Sequence, residues 1–269
     1  AIPGLYDKDS HKQLKSWDEL IALGLDVQKD YTYSQAKNSK GGGYYLFNTN
    51  NLQGELILPS NITKIGNNVF ADSWQIYNTL KIPEGVKSIG EDAFACCTHI
   101  YELSIPSTLE TLKTDSSGIQ PFFGIARCKK ITVDSGNKIF DSRNNCNVIV
   151  RKSTNGIVVG CPGTNFVSSI TSIEKGAFVF MTWWNEITIP GTIKTIGEEA
   201  FFGCRDIKKV TIQEGVQKID ADAFSGNDNA IIYAPKSLTT VASYAFYDNA
   251  QIYYSGSLDT TYWGAKKIN

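Results

Sequence analysis

The sequence predicts a repeat solenoid, a β-rich chain of short parallel strands stacked coil upon coil. Three observations predict it. A phrase of the form apolar-x-x-Ile-Gly-x-x-Ala-Phe recurs along the chain, with its phenylalanines at positions 70, 94, 178, 201, 224 and 246. The close spacings are 24, 23, 23 and 22 residues. A second phrase precedes these, alternating apolar residues with Thr, Ser or Lys and often stopping at proline, as in Leu80-Lys81-Ile82-Pro83. A fixed period in this range marks stacked units, none of which can bury its apolar side alone.

The alternating phrase reads as a strand with one buried face. Proline lacks a ladder donor and ends it. A turn follows (Glu84-Gly85, Gly191-Thr192, Glu214-Gly215), then the next apolar residue. Stacking places Leu56, Leu80, Leu103, Ile131, Ile187 and Val210 in one buried ladder. Leu58, Ile82, Ile105, Val133, Ile189 and Ile212 form a second, and the phenylalanines a third. The glycine of Ile-Gly is expected to permit a tight or left-handed turn. The period identifies an α/β leucine-rich-repeat solenoid with one coil per 22–24 residues.

The remaining elements follow in order. Residues 1–50 are expected to form an N-terminal cap, because a terminal coil would expose its core. Within it, Ser16-Trp17-Asp18-Glu19 has the form of a capping box, and Trp17, Leu20 and Ile21 fall on one helical face. Residues 51–254 form the solenoid. Phe178 follows Phe94 at a spacing of 84 residues. That stretch starts a degenerate unit at Leu109, continues it at Pro121-Phe122-Phe123-Gly124 and Cys128, and loses the consensus over residues 113–120. It then places two β-rich runs around Asn155-Gly156, a hairpin signal, read as an insertion at about residues 140–165. Residues 255–269 are the C-terminal cap, where Tyr262 and Trp263 close the last coil. The whole is expected to be one continuous domain.

Bulk composition narrows the function classes. Hydrophobic residues make up 42% of the 269 and charged residues 20%, ordinary for a globular protein. With 26 basic and 27 acidic residues the net charge is -1, which argues against a phosphate-binding surface and so against nucleic acid. No run reaches the roughly 20 apolar residues of a membrane helix. Ala1-Ile2-Pro3-Gly4 has no apolar leader segment, so a secreted protein would have lost its leader before Ala1.

Cys96, Cys97, Cys128, Cys146, Cys161 and Cys204 make no C-x-x-C pair, which leaves zinc-ribbon and thioredoxin readings without support. Cys97 occupies the repeat position of Cys204 and is expected in the core. Cys146 and Cys161 flank the hairpin and are expected as buried thiols rather than a disulfide. His99 lies near Cys96 and Cys97, but it aligns with the loop residue Asp206, which argues against a Cys/His dyad. Asp220-Ala221-Asp222 and Asn227-Asp228-Asn229 read as solvated turns rather than calcium loops. Asn61-Ile62-Thr63 fits a glycosylation sequon but is read as repeat consensus. No catalytic residue, cofactor or metal site is predicted.

These residues resemble the BspA-like leucine-rich-repeat family of bacterial surface proteins. The likeness rests on Ser88-Ile89-Gly90-Glu91-Asp92-Ala93-Phe94 with Cys97, on Thr195-Ile196-Gly197-Glu198-Glu199-Ala200-Phe201 with Cys204, on the block from Phe140 to Cys146 and Gly160-Cys161, and on Gly4-Leu5-Tyr6-Asp7 and Trp263-Gly264-Ala265-Lys266 at the ends. It implies secretion or surface display by a bacterium, and binding to a host or bacterial surface protein. It names no ligand, and a fold alone does not fix a function.

A binding face is expected on the exposed side of the strands. It comprises Lys81, Ser104, Thr132, Thr188 and Thr211, preceded by Thr79, Glu102, Lys130, Glu186 and Lys209, with Tyr233 and Tyr253 continuing the row. Trp183 aligns with Asp206 and is a candidate anchor, as is Trp74 in the corresponding loop; Trp184 aligns with the core Ile207. The leading expectation is a non-catalytic adhesion module with a protein ligand. The alternatives are a structural or self-associating surface protein and a glycan-binding module using Trp74, Trp183 and the tyrosines.

Overall fold

The structure is a computed structural model that describes residues 17–22, 26–32, 56–73, 76–246 and 250–268. The chain forms two compact units, Ala1–Asp141 and Ser142–Asn269. Ser16, Leu20's side chain and Trp74 lie outside the described residues.

The first unit holds the helix α1 (Trp17–Ala22) and strands β1 (Lys64–Ile65), β2 (Asn78–Lys81), β3 (Ser88–Ile89), β4 (Ile100–Ile105), β5 (Thr111–Leu112), β6 (Lys130–Val133) and β7 (Phe140–Asp141). Each coil contributes a strand to two parallel sheets, ordered β2-β4-β6 and β1-β3-β5. The first is the alternating phrase, with Leu80, Leu103 and Ile131 stacked in register and buried. The second is the Ile-Gly phrase itself. Its isoleucines pair coil to coil, Ile65 with Ile89 and Ile89 with Leu112, a ladder the sequence reading did not anticipate.

The degenerate unit keeps its place. Asp115 Oδ1 accepts from Ser117 N and Ile119 N, closing a turn where the consensus is lost. Gln120 Oε1 takes the Phe122 N–H, and Phe122 enters the aromatic column. Near the start, Gly66 N donates to Val27 O and Tyr31 N to Asn67 O, so buried Val27 and Tyr31 pack on the first coil. Ile21 of α1, expected on an apolar face, is 54% exposed, while Trp17 Nε1 donates to Ile57 O.

The second unit holds β8 (Ile149–Arg151), β9 (Gly156–Val159), β10 (Ser172–Ile173), β11 (Glu186–Ile189), β12 (Thr195–Ile196), β13 (Lys209–Ile212), β14 (Lys218–Ile219), β15 (Ile231–Ala234), β16 (Thr240–Val241), β17 (Gln251–Tyr254) and β18 (Lys266–Ile268). The alternating phrases form the parallel sheet β11-β13-β15-β17-β18, and the Ile-Gly phrases run β16-β14-β12-β10-β9. Strands β8 and β9 are antiparallel across residues 152–155, and β9 also pairs in parallel with β10, Ile157 beside Ile173. Trp263 is buried against Phe246 and Tyr254 at the last coil, but Tyr262, expected to help close it, is 67% exposed.

The phenylalanines form a stacked column in each unit. Ring centroids are 5.2 Å apart for Phe70–Phe94 and 5.3 Å for Phe94–Phe122. In the second unit Phe178–Phe201, Phe201–Phe224 and Phe224–Phe246 lie 4.8, 5.1 and 5.4 Å apart, each nearly parallel. All are fully buried. Burying one such ring contributes about 2–3 kcal/mol, and the stacking geometry adds to that.

Two expectations need correction. The coil is β with turns, not α/β: among the described residues, helix is confined to α1 and the short 3-10 turn Arg143–Asn145. The reason is a left-handed backbone two residues before every column phenylalanine but Phe122 (Asn68, Asp92, Gly176, Glu199, Asp222, Tyr244) and two residues after most of them (Asp72, Cys96, Gly124, Phe180, Gly203, Gly226). Such residues break a right-handed helix and turn the amides toward the next coil. Phe201 N donates to Ala223 O at 2.7 Å, and Phe178 N to Ala200 O at 2.8 Å.

The second correction concerns the consensus glycine. Gly66, Gly90 and Gly197 are not left-handed. A Cβ on Gly90 would lie 2.5 Å from Asn67 N, and one on Gly197 2.8 Å from Ile173 O. Glycine is there because neighbouring coils approach backbone to backbone.

Candidate binding face

The alternating strands present one residue in two outward. Parallel pairing then converts the repeat period into rows, because like positions stand side by side. In the first unit, Thr79 pairs with Glu102 and Glu102 with Lys130; in the next row Lys81 pairs with Ser104 and Ser104 with Thr132. In the second, Glu186 pairs with Lys209, and Thr188, Thr211, Tyr233 and Tyr253 follow one another across four strands. Lys81, Glu102, Lys130, Thr132, Glu186, Thr188, Lys209, Tyr233 and Tyr253 are exposed, while Thr79, Ser104 and Thr211 are half-buried between their neighbours.

The two units differ in the chemistry of this face. The first is hydrophilic and charge-balanced. Lys130 Nζ lies 3.8 Å from Glu102 Oε2, and a recess of about 420 Å³ is lined by Lys81, Glu84, Ser104, Thr132 and Asp134. In the second the row becomes aromatic. The Tyr233 and Tyr253 rings stack at 5.1 Å with only 12° between their planes, and Lys209 Nζ stands 5.8 Å from the Tyr233 centroid. A recess of about 510 Å³ opens beside them, lined by both tyrosines, Tyr254, Ser255, Lys267 and Ile268.

The sequence reading missed Ile231, Gln251, Lys266 and Ile268, which continue these rows. Period-2 alternation was the available signal for Ile231 and Gln251. Lys266-Lys267-Ile268 matches no repeat phrase, so only pairing with β17 reveals its place. Trp183 is set apart from the rows. It is 66% exposed, left-handed, and its amide donates to Asp206 Oδ2 of the next coil. Trp184 is half-buried rather than core, packing on the edges of Phe178 and Phe201.

The thiols have structural duties. Cys97 Sγ donates to Phe70 O and Cys204 Sγ to Phe178 O, each reaching back one coil, and Asn227 Nδ2 does the same to Phe201 O. Burial pushes the Cys97 thiol well above its ordinary pKa and Cys204 up to about 12, which keeps both protonated. None of the six cysteines is in a disulfide. His99 meets Thr98 Oγ1 and packs at a tilt against the Tyr77 ring. Among the described residues no three His, Cys, Asp or Glu side chains stand close enough to hold a metal ion, and no helix is long and apolar enough to cross a membrane.

A family model described as BspA type Leucine rich repeat region matches residues 37–149 and 161–256, in 6 copies. Among solved structures, the pneumococcal vaccine antigen PcpA shares 13% identity, covering 90% of this chain and 70% of its own, at a TM-score of 0.52. A leucine-rich repeat protein from Eubacterium ventriosum gives 17% identity, coverages of 76% and 79% and a TM-score of 0.40. A leucine rich cell surface protein from Faecalibacterium prausnitzii gives 18%, coverages of 68% and 66%, and 0.40. No curated protein matches in sequence.

Proposed function

The chain belongs to the BspA-type leucine-rich-repeat family, and we propose that it is a non-catalytic binding or adhesion module, secreted or displayed on a bacterial surface, whose strand-ladder face recognises a protein ligand. Family membership supports the surface role. The single observation that carries the reading is the register Thr188–Thr211–Tyr233–Tyr253. It sets two large aromatic side chains side by side in solvent, 41% and 37% exposed, on neighbouring strands whose opposite side already fills the core. The coil is complete without them, and aromatic residues supply much of the energy at protein interfaces.

The test exposes the labelled protein to arrayed host matrix and bacterial surface proteins. Thr188→Arg and Thr132→Arg add bulk and charge to the outward rows without touching the core, and the proposal expects each to reduce capture of a ligand. Tyr244→Ser, outside the ladder strands, leaves it unchanged. Capture that ignores both row variants, or a defined oligomer in light scattering that these variants dissolve, would sink the proposal and favour a self-associating surface protein.

A further inference from the structure

We propose that the β13–β18 end of the second unit's ladder face takes an extended acidic segment of a partner protein, with carboxylates at Lys209, Lys266 and the outward edges of Tyr233 and Tyr253, and apolar side chains against Ile231 and Ile268. This rests on the reading that the ladder face binds protein, and it names the chemistry of that ligand.

Charge is the first argument. The outward positions of β13, β15, β17 and β18 carry Lys209 and Lys266 and no carboxylate, with Ile231, Tyr233, Tyr253 and Ile268 between them. Glu186 stands in register with Lys209 on β11, on the side away from the tyrosines. The Lys209 ammonium is found over the Tyr233 ring instead, 5.8 Å from its centroid. A ring face attracts a cation and leaves its remaining N–H donors for an anion. Lys267 adds a third positive charge beside the same recess, its Nζ 5.8 Å from the Tyr254 centroid. The corresponding face of the first unit has no such bias, since Glu102 offsets Lys130.

Ring orientation is the second argument, and it separates a peptide from a sugar. Stacking on a pyranose needs an open aromatic face. One face of Tyr233 is covered by Tyr253, and the other looks toward β13 and Lys209. The outer face of Tyr253 looks toward Ile268, its partner in register on β18. What the pair presents outward is ring edge and phenolic hydroxyl. The edge of an aromatic ring is its positive part, and the hydroxyl donates. Both suit a carboxylate. The flanking isoleucines suit the alternate apolar side chains of an extended chain.

The test titrates the intact protein with a short fluorescein-labelled peptide alternating glutamate and leucine, and with the same peptide carrying lysine for glutamate. The glutamate peptide binds, more weakly as salt screens the lysines, and the lysine peptide does not. The double variant Lys209→Ala/Lys266→Ala lowers affinity about tenfold. Tyr253→Phe keeps the stack and removes one hydroxyl, lowering affinity about threefold. Equal binding of both peptides, indifference to the double variant, or a heparin oligosaccharide displacing the glutamate peptide from these lysines would overturn the assignment. If the peptide fails while Thr188→Arg still abolishes capture of a protein ligand, this inference falls and the broader reading stands; if capture also ignores the row variants, both fall.

Discussion

Cys204 Sγ donates a hydrogen bond of 3.0 Å to the carbonyl of Phe178, tying one coil to the coil before it from inside the core. Asn227 makes the same link to Phe201 at 3.0 Å. A thiol and an amide serve one position because the requirement is a compact buried donor. Cys204→Ser is therefore expected to be nearly neutral, and Cys204→Val to lose about 1 kcal/mol with the donor. The thiol also has a pH signature. Its pKa rises through burial from an ordinary 9.0 to about 12. Below pH 9 the folded and unfolded chains both hold this proton. Above it the unfolded chain releases the proton first, so stability is lost as pH rises from 9 toward 12. Urea denaturation of wild type and Cys204→Ser should diverge over that window, with the serine variant gaining in relative stability. Parallel curves would refute the assignment.

Asp92 shows the opposite economy, a carboxylate the fold would do better without at neutral pH. Burial and the neighbouring charges of Asp115, Glu91 and Asp72 raise its pKa from 3.8 to about 6. The folded state thus favours the protonated acid, and stability falls as pH rises from about 4 through 6. Asp92→Asn removes the charge and keeps a residue that tolerates the left-handed backbone; Asn68 occupies the equivalent turn, its Nδ2 donating to Tyr31 O. The variant should be more stable by about 1 kcal/mol at pH 7, after allowing for solvent screening. The gain should disappear below pH 4. A gain that persisted in acid would mean that charge is not the cause.

The division between what the residues announced and what they hid is physical. The apolar ladders and the phenylalanine column were legible because burial selects one residue type at one period. The Ile-Gly ladder was not, because a strand of two residues, such as Ser88–Ile89, leaves no alternation to read. The left-handed positions were half-written: Asn68, Asp92, Gly203 and Gly226 are residues that tolerate that backbone, whereas Glu199, Phe180 and Tyr244 are not, and inter-coil hydrogen bonds hold them there. On the candidate face, Tyr233 and Tyr253 followed from the period. Their stacking, and the convergence of Lys209 and Lys266 around them, needed the register of β13 to β18.

The consensus glycine gives a direct test of the close-approach account. The three atoms nearest a Cβ built on Gly197, 2.8–2.9 Å away, all belong to the backbone of the preceding coil, at Ile173, Glu174 and Lys175. Backbone cannot swing aside, so Gly197→Ala should destabilise by about 1–3 kcal/mol. Asp220 fills the same repeat position with a side chain already accommodated, and its ion pair with the exposed Lys218 is half-buried on the aspartate side. Asp220→Ala should therefore change stability by less than about 0.5 kcal/mol. Equal costs for the two substitutions in thermal unfolding would show that the glycine is there for another reason.

The aromatic column predicts how the second unit comes apart. Phe201 lies between Phe178 and Phe224, 4.8 and 5.1 Å away, with Trp184 at its edge. Phe201→Ala removes a fully buried ring and should cost about 3–5 kcal/mol. Phe201→Leu keeps most of the volume, breaks the stack and should cost about 1–2 kcal/mol. The mode of unfolding should change as well. Stability in a solenoid is close to a sum of nearest-neighbour terms, so weakening one interface uncouples the coils on either side. Trp184 reports beside Phe201, and Trp263 reports at the far end of the same unit, buried against Phe246. In wild type the two fluorophores should lose their environments together in urea. In Phe201→Ala, with the other tryptophans replaced to separate the signals, the Trp184 transition should move to lower urea than that of Trp263. Coincident transitions in the variant would mean that the ladders, rather than the ring column, carry the coupling between coils.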